Sequence, residues 1–210
     1  MNHMPCSDVF ILDSHDALLI VDVQNDFLPH GALAIAESDK ILPSINALAF
    51  LPFGCIITSQ DWHPPFHSSF KTAKPAGPWP RHCVSHTYGA ALSSSLRLPH
   101  HTLAVFKGME TTKESYSAFE GITSDNLSLF DLLQQKNITR IFICGLALDY
   151  CVKATALDAY AHNMDTIVIV NACQGVAIDP TPTLHFLQKN GITLALIDCR
   201  QKRIIHFMPA

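Results

Sequence analysis

The sequence contains no long hydrophobic run, no excess of basic residues and no paired cysteine motif. No apolar stretch of this 210-residue chain approaches the roughly 20 residues that a membrane span needs, and residues 1–16 lack the basic start and apolar middle of a signal peptide. The formal net charge is −4, with no basic stripe that would attract a phosphate backbone. We therefore expect a cytoplasmic protein with neither a nucleic-acid nor a membrane partner.

The seven cysteines are scattered along the chain, and no two of them form a Cys-x-x-Cys pair. This pattern argues against both a disulfide framework and a zinc ribbon. Cys151 stands apart because it lies where the apolar segment 140–144 gives way to a predicted helix at 150–162. A thiol in the first turn of a helix faces unpaired backbone N–H groups and the positive end of the helix dipole, which stabilise a thiolate. The sequence therefore predicts a nucleophilic Cys151.

Short apolar runs rich in Ile, Val and Leu recur along the chain without alternation, as strands buried on both faces do. These runs are residues 17–23, 55–59, 103–107, 140–144, 166–170 and 192–197. Helical patterns lie between most of them, at residues 40–50 after Asp39, 127–136 after Asp125, and 180–190 between Asp179 and Gly191. The alternation predicts an α/β fold of three layers, α/β/α, with a central six-stranded, mainly parallel sheet.

A long proline-rich loop at about residues 60–100 interrupts this regular alternation. Its prolines forbid long helices or central strands. A long irregular loop inside a compact domain is usually functional, and residues 61–99 of this loop carry four of the twelve histidines. We predict a single domain over residues 1–210, since the chain is long enough for one core and short for two.

Side chains that could act as acids, bases, metal ligands or nucleophiles lie at the ends of four of the predicted strands. Asp22 ends the first, Asp61 and His63 follow the second, Lys107 ends the third and Cys151 follows the fourth. Ligands bind beyond the carboxyl ends of strands in open α/β sheets, so these residues are expected along one edge. An unpaired carboxylate in an apolar run is costly, which predicts that Asp22 pairs with Lys107. Such a pair is either a structural ion pair or, beside a thiol, an acid–base group.

Asp61 and the loop histidines are candidate metal ligands. His63/His67 and His82/His86 have the i, i+4 spacing of helical zinc sites, but the neighbouring prolines argue against a helix. Any metal would therefore be held from loops. A mixed Asp and His set suits Zn, Fe(II) or Mn(II), and the residue types do not choose among these ions. The alternative interpretation is a solvated histidine-rich surface loop.

Aromatic residues near these segments predict a site for a flat ring. Phe27 and Trp79 flank the catalytic candidates, where they could sandwich such a ring. Tyr116 is a third substrate-binding candidate. Trp62 is instead expected to pack in a small satellite core.

Five segments of the chain, in this order, resemble the isochorismatase-like hydrolase superfamily and, within it, the nicotinamidases. They are Ile20-Val21-Asp22-Val23-Gln24-Asn25-Asp26-Phe27, Ser59-Gln60-Asp61-Trp62-His63-Pro64, Trp79-Pro80-Arg81-His82-Cys83-Val84, Lys107-Gly108 with Tyr116-Ser117-Ala118-Phe119, and Gly145-Leu146-Ala147-Leu148-Asp149-Tyr150-Cys151-Val152. The resemblance extends from residue 17 to about residue 199. Each segment alone would be a weak signal, but five in the same order are highly specific.

The resemblance implies a catalytic set of Asp22, Lys107 and Cys151. It also implies a cis peptide bond between Leu146 and Ala147, with the backbone N–H groups of Ala147 and Cys151 forming an oxyanion hole. The implied reaction is hydrolysis of nicotinamide to nicotinate and ammonia through a thioester on Cys151, a step of NAD salvage. Pyrazinamide is implied as a second substrate.

The same resemblance implies one divalent metal ion, Zn, Fe or Mn, held by Asp61, His63 and His82. The resemblance leaves open whether His67 is a fourth ligand, because that ligand varies among relatives. In such enzymes the metal binds the ring nitrogen of the substrate and so orients its carboxamide. His86 departs from the family pattern, which usually has glycine there, and would bend the loop differently or add a ligand. Relatives range from monomers to larger assemblies, so a homo-oligomer is a weaker expectation.

Two alternatives come from the same fold. One is another cysteine amidase acting on ureido or carbamoyl compounds, but such relatives generally lack the metal ligands present here. Isochorismatase proper is less favoured still, because it does without the cysteine.

The second alternative is a catalytically silent binding protein, because fold does not imply function. Such a protein would normally have lost Asp22, Lys107 or Cys151, and all three are present.

Overall fold

The computed structural model describes residues 9–208, which build one central sheet with helices packed against it. The strands are β1 Asp16–Val21, β2 Cys55–Asp61, β3 Leu103–Lys107, β4 Arg140–Leu146, β5 Asp165–Gln174, β6 Thr193–Asp198 and β7 Arg203–His206. The helices are α1 Leu42–Leu48, α2 Leu129–Gln135, α3 Lys153–Ala161 and α4 Thr181–Lys189. Short 3₁₀ turns cover Asn25–Phe27, Ser38–Ile41 and Ala118–Glu120.

The sheet has the strand order β3-β2-β1-β4-β5-β6-β7. All neighbouring strands from β3 to β6 pair in parallel, and β7 pairs antiparallel with β6. The predicted α/β fold with its mainly parallel central sheet is confirmed. The predicted count of six strands was wrong, because the described part of the chain forms seven. Strand β7 has only four residues, of which one is fully buried, so it carries no continuous apolar run.

The predicted helices are present with shorter bounds. Helix α2 begins after Ser128, whose side chain accepts a hydrogen bond from the N–H of Asp131, and not after Asp125 as predicted. Asp39 lies within the 3₁₀ turn before α1 and does not cap that helix. Asp179 lies one residue before Pro180, which occupies the N-cap position of α4, and its carboxylate accepts a hydrogen bond from the N–H of Thr181 at 3.0 Å.

The core of the molecule lies on the two faces of the central strands. All six residues of β1 and six of the seven residues of β4 are buried, as strands covered on both faces should be. Helices α1 and α3 pack against β5, and α1 and α4 pack against β6. The segment between β2 and β3, residues 62–102, is described without a helix or a strand. The predicted irregular loop therefore lies beside the carboxyl ends of β1, β2 and β3.

The six cysteines among the described residues are free, while Cys6 lies outside them. Five of these six are buried. Across residues 9–208, none of the helices combines the length and the apolar character that crossing a membrane requires.

Candidate active site

Four side chains, each at the end of a different strand or in the segment that follows it, meet at the carboxyl edge of the sheet. Lys107, at the end of β3, is fully buried and lies with its Nζ 2.9 Å from Oδ2 of Asp22. The same ammonium group pairs with Asp61 at the end of β2 and lies 3.6 Å from Sγ of Cys151. Because the ends of parallel strands meet at one edge, residues far apart in sequence converge on this lysine. The predicted pairing of Asp22 with Lys107 is present.

The two carboxylate oxygens of Asp22 have different surroundings at this edge. Asp22 directly follows the end of β1 and has a positive φ of 51°. Aspartate tolerates this backbone conformation better than most residues. Oδ1 accepts a hydrogen bond from the Ser59 hydroxyl at 2.6 Å. Oδ2 is buried and, among residues 9–208, has no partner with hydrogen-bond geometry, although Lys107 lies beside it. The lysine therefore attracts the carboxylate, and Oδ2 keeps a lone pair for a proton.

The charges at this edge shift one another's pKa values in opposite directions. Burial raises the pKa of Asp22, and the neighbouring Lys107 only partly offsets that effect. Burial acts likewise on Asp61, but Lys107 and His63 outweigh it and lower the pKa of that carboxyl. Burial would lower the pKa of Lys107, but the two carboxylates raise it well above its usual range. The lysine is therefore charged, and Asp22 is the more basic of the two carboxylates.

Cys151 lies on a wide helical turn, Leu148–Val152, of π type, directly before α3. The chain reaches this turn through the cis peptide bond Leu146–Ala147. Gly145, just before it, has a φ of 117°, and a Cβ there would lie 2.1 Å from the carbonyl oxygen of Val21. Only glycine allows this close approach of β4 to β1. These features set the thiol at the edge where Asp22 and Lys107 lie.

The surroundings of Cys151 determine how its thiol becomes a nucleophile. The helix start favours a thiolate, but Cys151 is only 6% exposed. Burial raises the pKa of Cys151 well above its usual range, while Lys107 acts in the opposite direction. Desolvation dominates because the charged sulfur would lose its water. The resting thiol is thus neutral, and it needs a base close by. Sγ of Cys151 lies within 4.8 Å of a carboxylate oxygen of Asp22.

Asp61, His63 and His82 form a cluster that can hold a divalent metal ion. One ligand atom from each lies within 4.8 Å of the other two. Nδ1 of His63 donates to the carbonyl of Gly108 at 2.9 Å, and Nδ1 of His82 donates to the carbonyl of Pro80 at 2.8 Å. Because Nδ1 carries the proton in both rings, each Nε2 has a free lone pair, which is the usual arrangement of metal-binding histidines. The donor set therefore fits a metal.

Phe70 holds the histidines of the loop in place. Its ring is fully buried and packs edge-on against His63, His67 and His82, with centroid distances of 5.6 to 5.8 Å. Gly108 packs closely against the ring of His63, and a side chain there would not fit, since a Cβ would lie 2.5 Å from Cε1 of His63. The loop lacks regular structure, but it has a small core of its own that orients the candidate ligands.

His67 and His86 occupy different surroundings from the other two loop histidines. His67 stacks on His63 at 4.1 Å between ring centroids; its Nε2 lies 3.0 Å from the carbonyl of Lys113 and its Nδ1 2.7 Å from the hydroxyl of Ser69. His86 lies edge-on against Trp62 at 5.2 Å, and among the described residues it belongs to none of the metal-ligand clusters. Trp62 is partly buried against the main core, and not in a separate satellite core as predicted.

A cavity of about 420 Å³, part of it open to solvent, lies beside these groups. All three predicted substrate-binding residues line it, as do Ala147 and Cys151. Its walls are Phe27, Leu33, Ile35, Asp61, Trp79, His82, Glu114, Tyr116, Ala147, Tyr150, Cys151 and Val176. The Trp79 indole N–H donates to the hydroxyl of Tyr116 at 3.1 Å, and Tyr150 lies against the Trp79 ring at 5.1 Å. These aromatic walls suit a flat ring.

Four residues of the site were missed by the sequence reasoning: Ser59, Phe70, Glu114 and Tyr150. Ser59 and Tyr150 lie inside quoted motifs, next to residues already singled out, so their positions were available as a signal. Phe70 and Glu114 carry no motif of their own, and only the folded loop brings them to the cavity.

The comparisons with known proteins agree with this geometry. The isochorismatase domain model matches residues 16–189. A nicotinamidase of Acinetobacter baylyi is 39% identical over 175 residues, covering 76% of this chain and 81% of the relative.

Two solved structures are also similar. The pyrazinamidase of Pyrococcus horikoshii in complex with zinc has a TM-score of 0.79 at 38% identity, covering 87% of this chain and 99% of the other. The PnC1 protein of L. infantum in complex with nicotinate has a TM-score of 0.81 at 34% identity, with 90% and 96% covered. The predicted resemblance is confirmed, and this chain belongs to the isochorismatase domain family.

Proposed function

We propose that this protein hydrolyses nicotinamide to nicotinate and ammonia, and accepts pyrazinamide as a second substrate, with a thioester on Cys151 as the intermediate. The observation that carries the proposal is the joint presence of a buried Asp22–Lys107–Cys151 set and an Asp61–His63–His82 cluster around one aromatic cavity. Relatives and neighbouring structures with nicotinamidase or pyrazinamidase in their names support it.

Asp22 begins the reaction as a general base. Oδ2 takes the proton of the Cys151 thiol, and the thiolate formed attacks the carboxamide carbon of the substrate. The raised pKa of Asp22 suits this role, since a more basic carboxylate takes a thiol proton more readily. Lys107 stays charged, attracts Asp22 and lies 3.6 Å from the sulfur, where its charge stabilises the thiolate while it exists.

The backbone N–H groups of Ala147 and Cys151 are proposed to hold the oxygen of the tetrahedral intermediate. Asp22 then gives its proton to the departing ammonia, so that the C–N bond breaks and a thioester remains on Cys151. A water molecule, with Asp22 again as base, attacks the thioester carbon. The acid product leaves, and the thiol takes back its proton.

Asp61, His63 and His82 are proposed to hold a divalent metal ion, Zn, Fe or Mn. When bound, the ion supplies a Lewis acid that the ring nitrogen of the substrate can coordinate. Phe27, Trp79 and Tyr116 would then hold the flat ring between them. Together these contacts direct the carboxamide towards Cys151.

An ammonia-release assay tests the proposal across nicotinamide, pyrazinamide and a ureido compound, with the bound metal measured in the same sample. Ammonia release from nicotinamide and pyrazinamide, and none from the ureido compound, is expected. Turnover of the ureido compound alone would favour the other cysteine amidases. No release from any of them, in protein that contains metal, would favour a silent binding protein.

Three further predictions from the sequence stay predictions: a single domain over residues 1–210, a cytoplasmic location and self-association. Limited proteolysis tests the first, because a second domain would leave a second resistant fragment. Cell fractionation tests the second. The sedimentation coefficient in solution tests the third.

A further inference from the structure

Glu114 carries a carboxylate oxygen that nothing in the reaction above uses. Its Oε1 accepts a hydrogen bond from the N–H of Ser115 at 3.1 Å. Its Oε2 is buried and, within residues 9–208, has no hydrogen-bond partner. Buried polar atoms are almost always satisfied, so an unsatisfied carboxylate oxygen in a cavity wall calls for an explanation.

The position of Glu114 points to the metal cluster. A carboxylate oxygen of this residue lies within 4.8 Å of a ring nitrogen of both His63 and His67. Together with Asp61 and His82 it lines the same cavity. An ion held by Asp61, His63 and His82 would sit roughly 2 Å from its ligand atoms, so a water molecule on that ion would come within reach of Glu114.

His67 is poorly placed to complete the same site. The carbonyl of Lys113 can only accept, so the Nε2 of His67 must donate to it. The remaining lone pair, on Nδ1, faces the hydroxyl and the N–H of Ser69 at 2.7 and 3.3 Å. Both ring nitrogens are thus engaged, whereas His63 and His82 each keep one free. His67 instead stacks on His63 and ties it to the segment that carries Glu114.

We propose that Glu114, and not His67, completes the metal site, by accepting a hydrogen bond through Oε2 from a water molecule in the shell of the ion. His67 is a positioning residue that supports the ring of His63. This inference rests on the metal site of the proposed function, and it assigns a residue that sequence motifs did not single out. A second negative charge near the ion would raise its affinity, as outer-shell carboxylates do.

The test measures Zn²⁺ affinity of the metal-stripped full chain by competition with a chromophoric chelator. Glu114→Gln and Glu114→Ala are both expected to weaken zinc binding by about tenfold or more. Glu110→Gln removes an exposed carboxylate from the same segment and is the matched control, with wild-type affinity expected. Wild-type affinity in both Glu114 variants would overturn the proposal.

Thermal unfolding of the same samples provides a second readout. Without metal, Glu114→Gln is expected to unfold at the wild-type temperature or higher, because Oε2 has no partner to lose. With zinc added, its gain in melting temperature should be smaller than that of the wild type. A metal-free Glu114→Gln protein that unfolds well below the wild type, with an unchanged zinc-induced gain, would show a structural role and overturn the proposal.

The absorption spectrum of Co²⁺-loaded protein tests the part concerning His67, since it changes when a nitrogen ligand is lost. His67→Gln should leave the spectrum unchanged, and a changed spectrum would overturn that assignment. If the wild type itself binds no zinc, the metal site of the proposed function falls, and the Glu114 proposal with it. If both wild type and Glu114→Gln bind zinc tightly, only the Glu114 proposal falls.

Discussion

Two ion pairs, each with a buried aspartate, lie at opposite ends of strand β1, and they differ in how the carboxylate oxygens are hydrogen-bonded. At the amino end, the Arg140 guanidinium donates to both oxygens of Asp16 at 2.6 and 2.8 Å, and the N–H of Asp13 donates to one of them at 2.7 Å. At the carboxyl end, Oδ1 of Asp22 accepts from the Ser59 hydroxyl, while Oδ2 lies 2.9 Å from the Lys107 ammonium and, in the described chain, has no partner with hydrogen-bond geometry.

The choice of cation accounts for the difference. A guanidinium forms two parallel hydrogen bonds with a carboxylate and fixes it, whereas an ammonium group is a point charge that can serve several neighbours. Arg140 binds one carboxylate at the amino end. Lys107 serves two carboxylates and a thiol at the carboxyl end. The Asp16–Arg140 pair, with both carboxylate oxygens hydrogen-bonded, stabilises the fold. The Asp22–Lys107 pair leaves a carboxylate oxygen that can accept a proton.

The largest effect is expected from replacing the buried thiol at the carboxyl edge of the sheet, compared with a buried thiol at the amino edge. Cys151→Ala should lower the rate of ammonia release by roughly four orders of magnitude or more, because the nucleophile is gone. Cys55→Ala removes an equally buried thiol at the amino end of β2 and should leave the turnover rate unchanged. Steady-state kinetics with both variants checks this. Retained turnover in Cys151→Ala would remove the thiol mechanism.

The next comparison exchanges the two aspartates for asparagine. Asp22→Asn should lower kcat by roughly 1,000-fold or more. Its free energy of unfolding should change by less than about 1 kcal/mol, because the lost attraction to Lys107 and the relieved burial of a charge oppose each other.

Asp16→Asn should do the reverse, with near wild-type kcat and a loss of about 2 kcal/mol in the free energy of unfolding. That figure is modest because the Arg140 side chain is 24% exposed and can regain water. Urea unfolding and steady-state kinetics of both variants measure the two quantities. Equal losses of stability at both positions would contradict the functional interpretation of the Asp22 pair.

A third comparison concerns two histidines, one beside the carboxyl edge of the sheet and one at its amino edge. His82→Ala should weaken Zn²⁺ binding by about 100-fold or more, since it removes a ligand with a free Nε2. His15→Ala, before β1 at the amino end, removes an exposed ring whose Nδ1 bonds to the carbonyl of Asn137, and zinc affinity should not change. Chelator competition measures both. Undiminished zinc binding in His82→Ala would contradict the proposed ligand set.

The carboxyl edge of the sheet and the neighbouring loop also differ in how far the sequence predicts them. The strands and the convergence of Asp22, Lys107 and Cys151 follow from apolar runs and from the rule that parallel strands end at one edge. The loop of residues 62–102 is different, because its geometry depends on backbone carbonyls and on Phe70, which no pattern marks. Likewise the neutral state of the Cys151 thiol depends on the depth of its burial, and a helix-start motif carries no information about that depth.

The raised pKa of Asp22 predicts the acid side of the pH profile. Asp22 must be ionised to accept the thiol proton, so kcat/KM should fall as the pH drops through the pKa of this carboxyl. Burial raises that pKa above the ordinary 3.8, and the midpoint of the fall should lie above pH 3.8 accordingly. The midpoint should be the same for nicotinamide and pyrazinamide, whose ring nitrogens differ in basicity. A midpoint that follows the substrate, or one at or below 3.8, would contradict the assignment.

The smallest expected effect refines the same profile. The Ser59 hydroxyl donates to Oδ1 of Asp22 and lowers the pKa of that carboxyl. Ser59→Ala should therefore move the acid midpoint of kcat/KM to higher pH, with a fall in kcat of about tenfold, corresponding to one hydrogen bond to a charged group. Thr58→Val is the matched control on the same strand, since its hydroxyl bonds to the carbonyl of Leu103, and its midpoint should stay at the wild-type value. A shift in Thr58→Val as large as that in Ser59→Ala would mean that disturbance of β2, and not the hydrogen bond to Asp22, sets the profile.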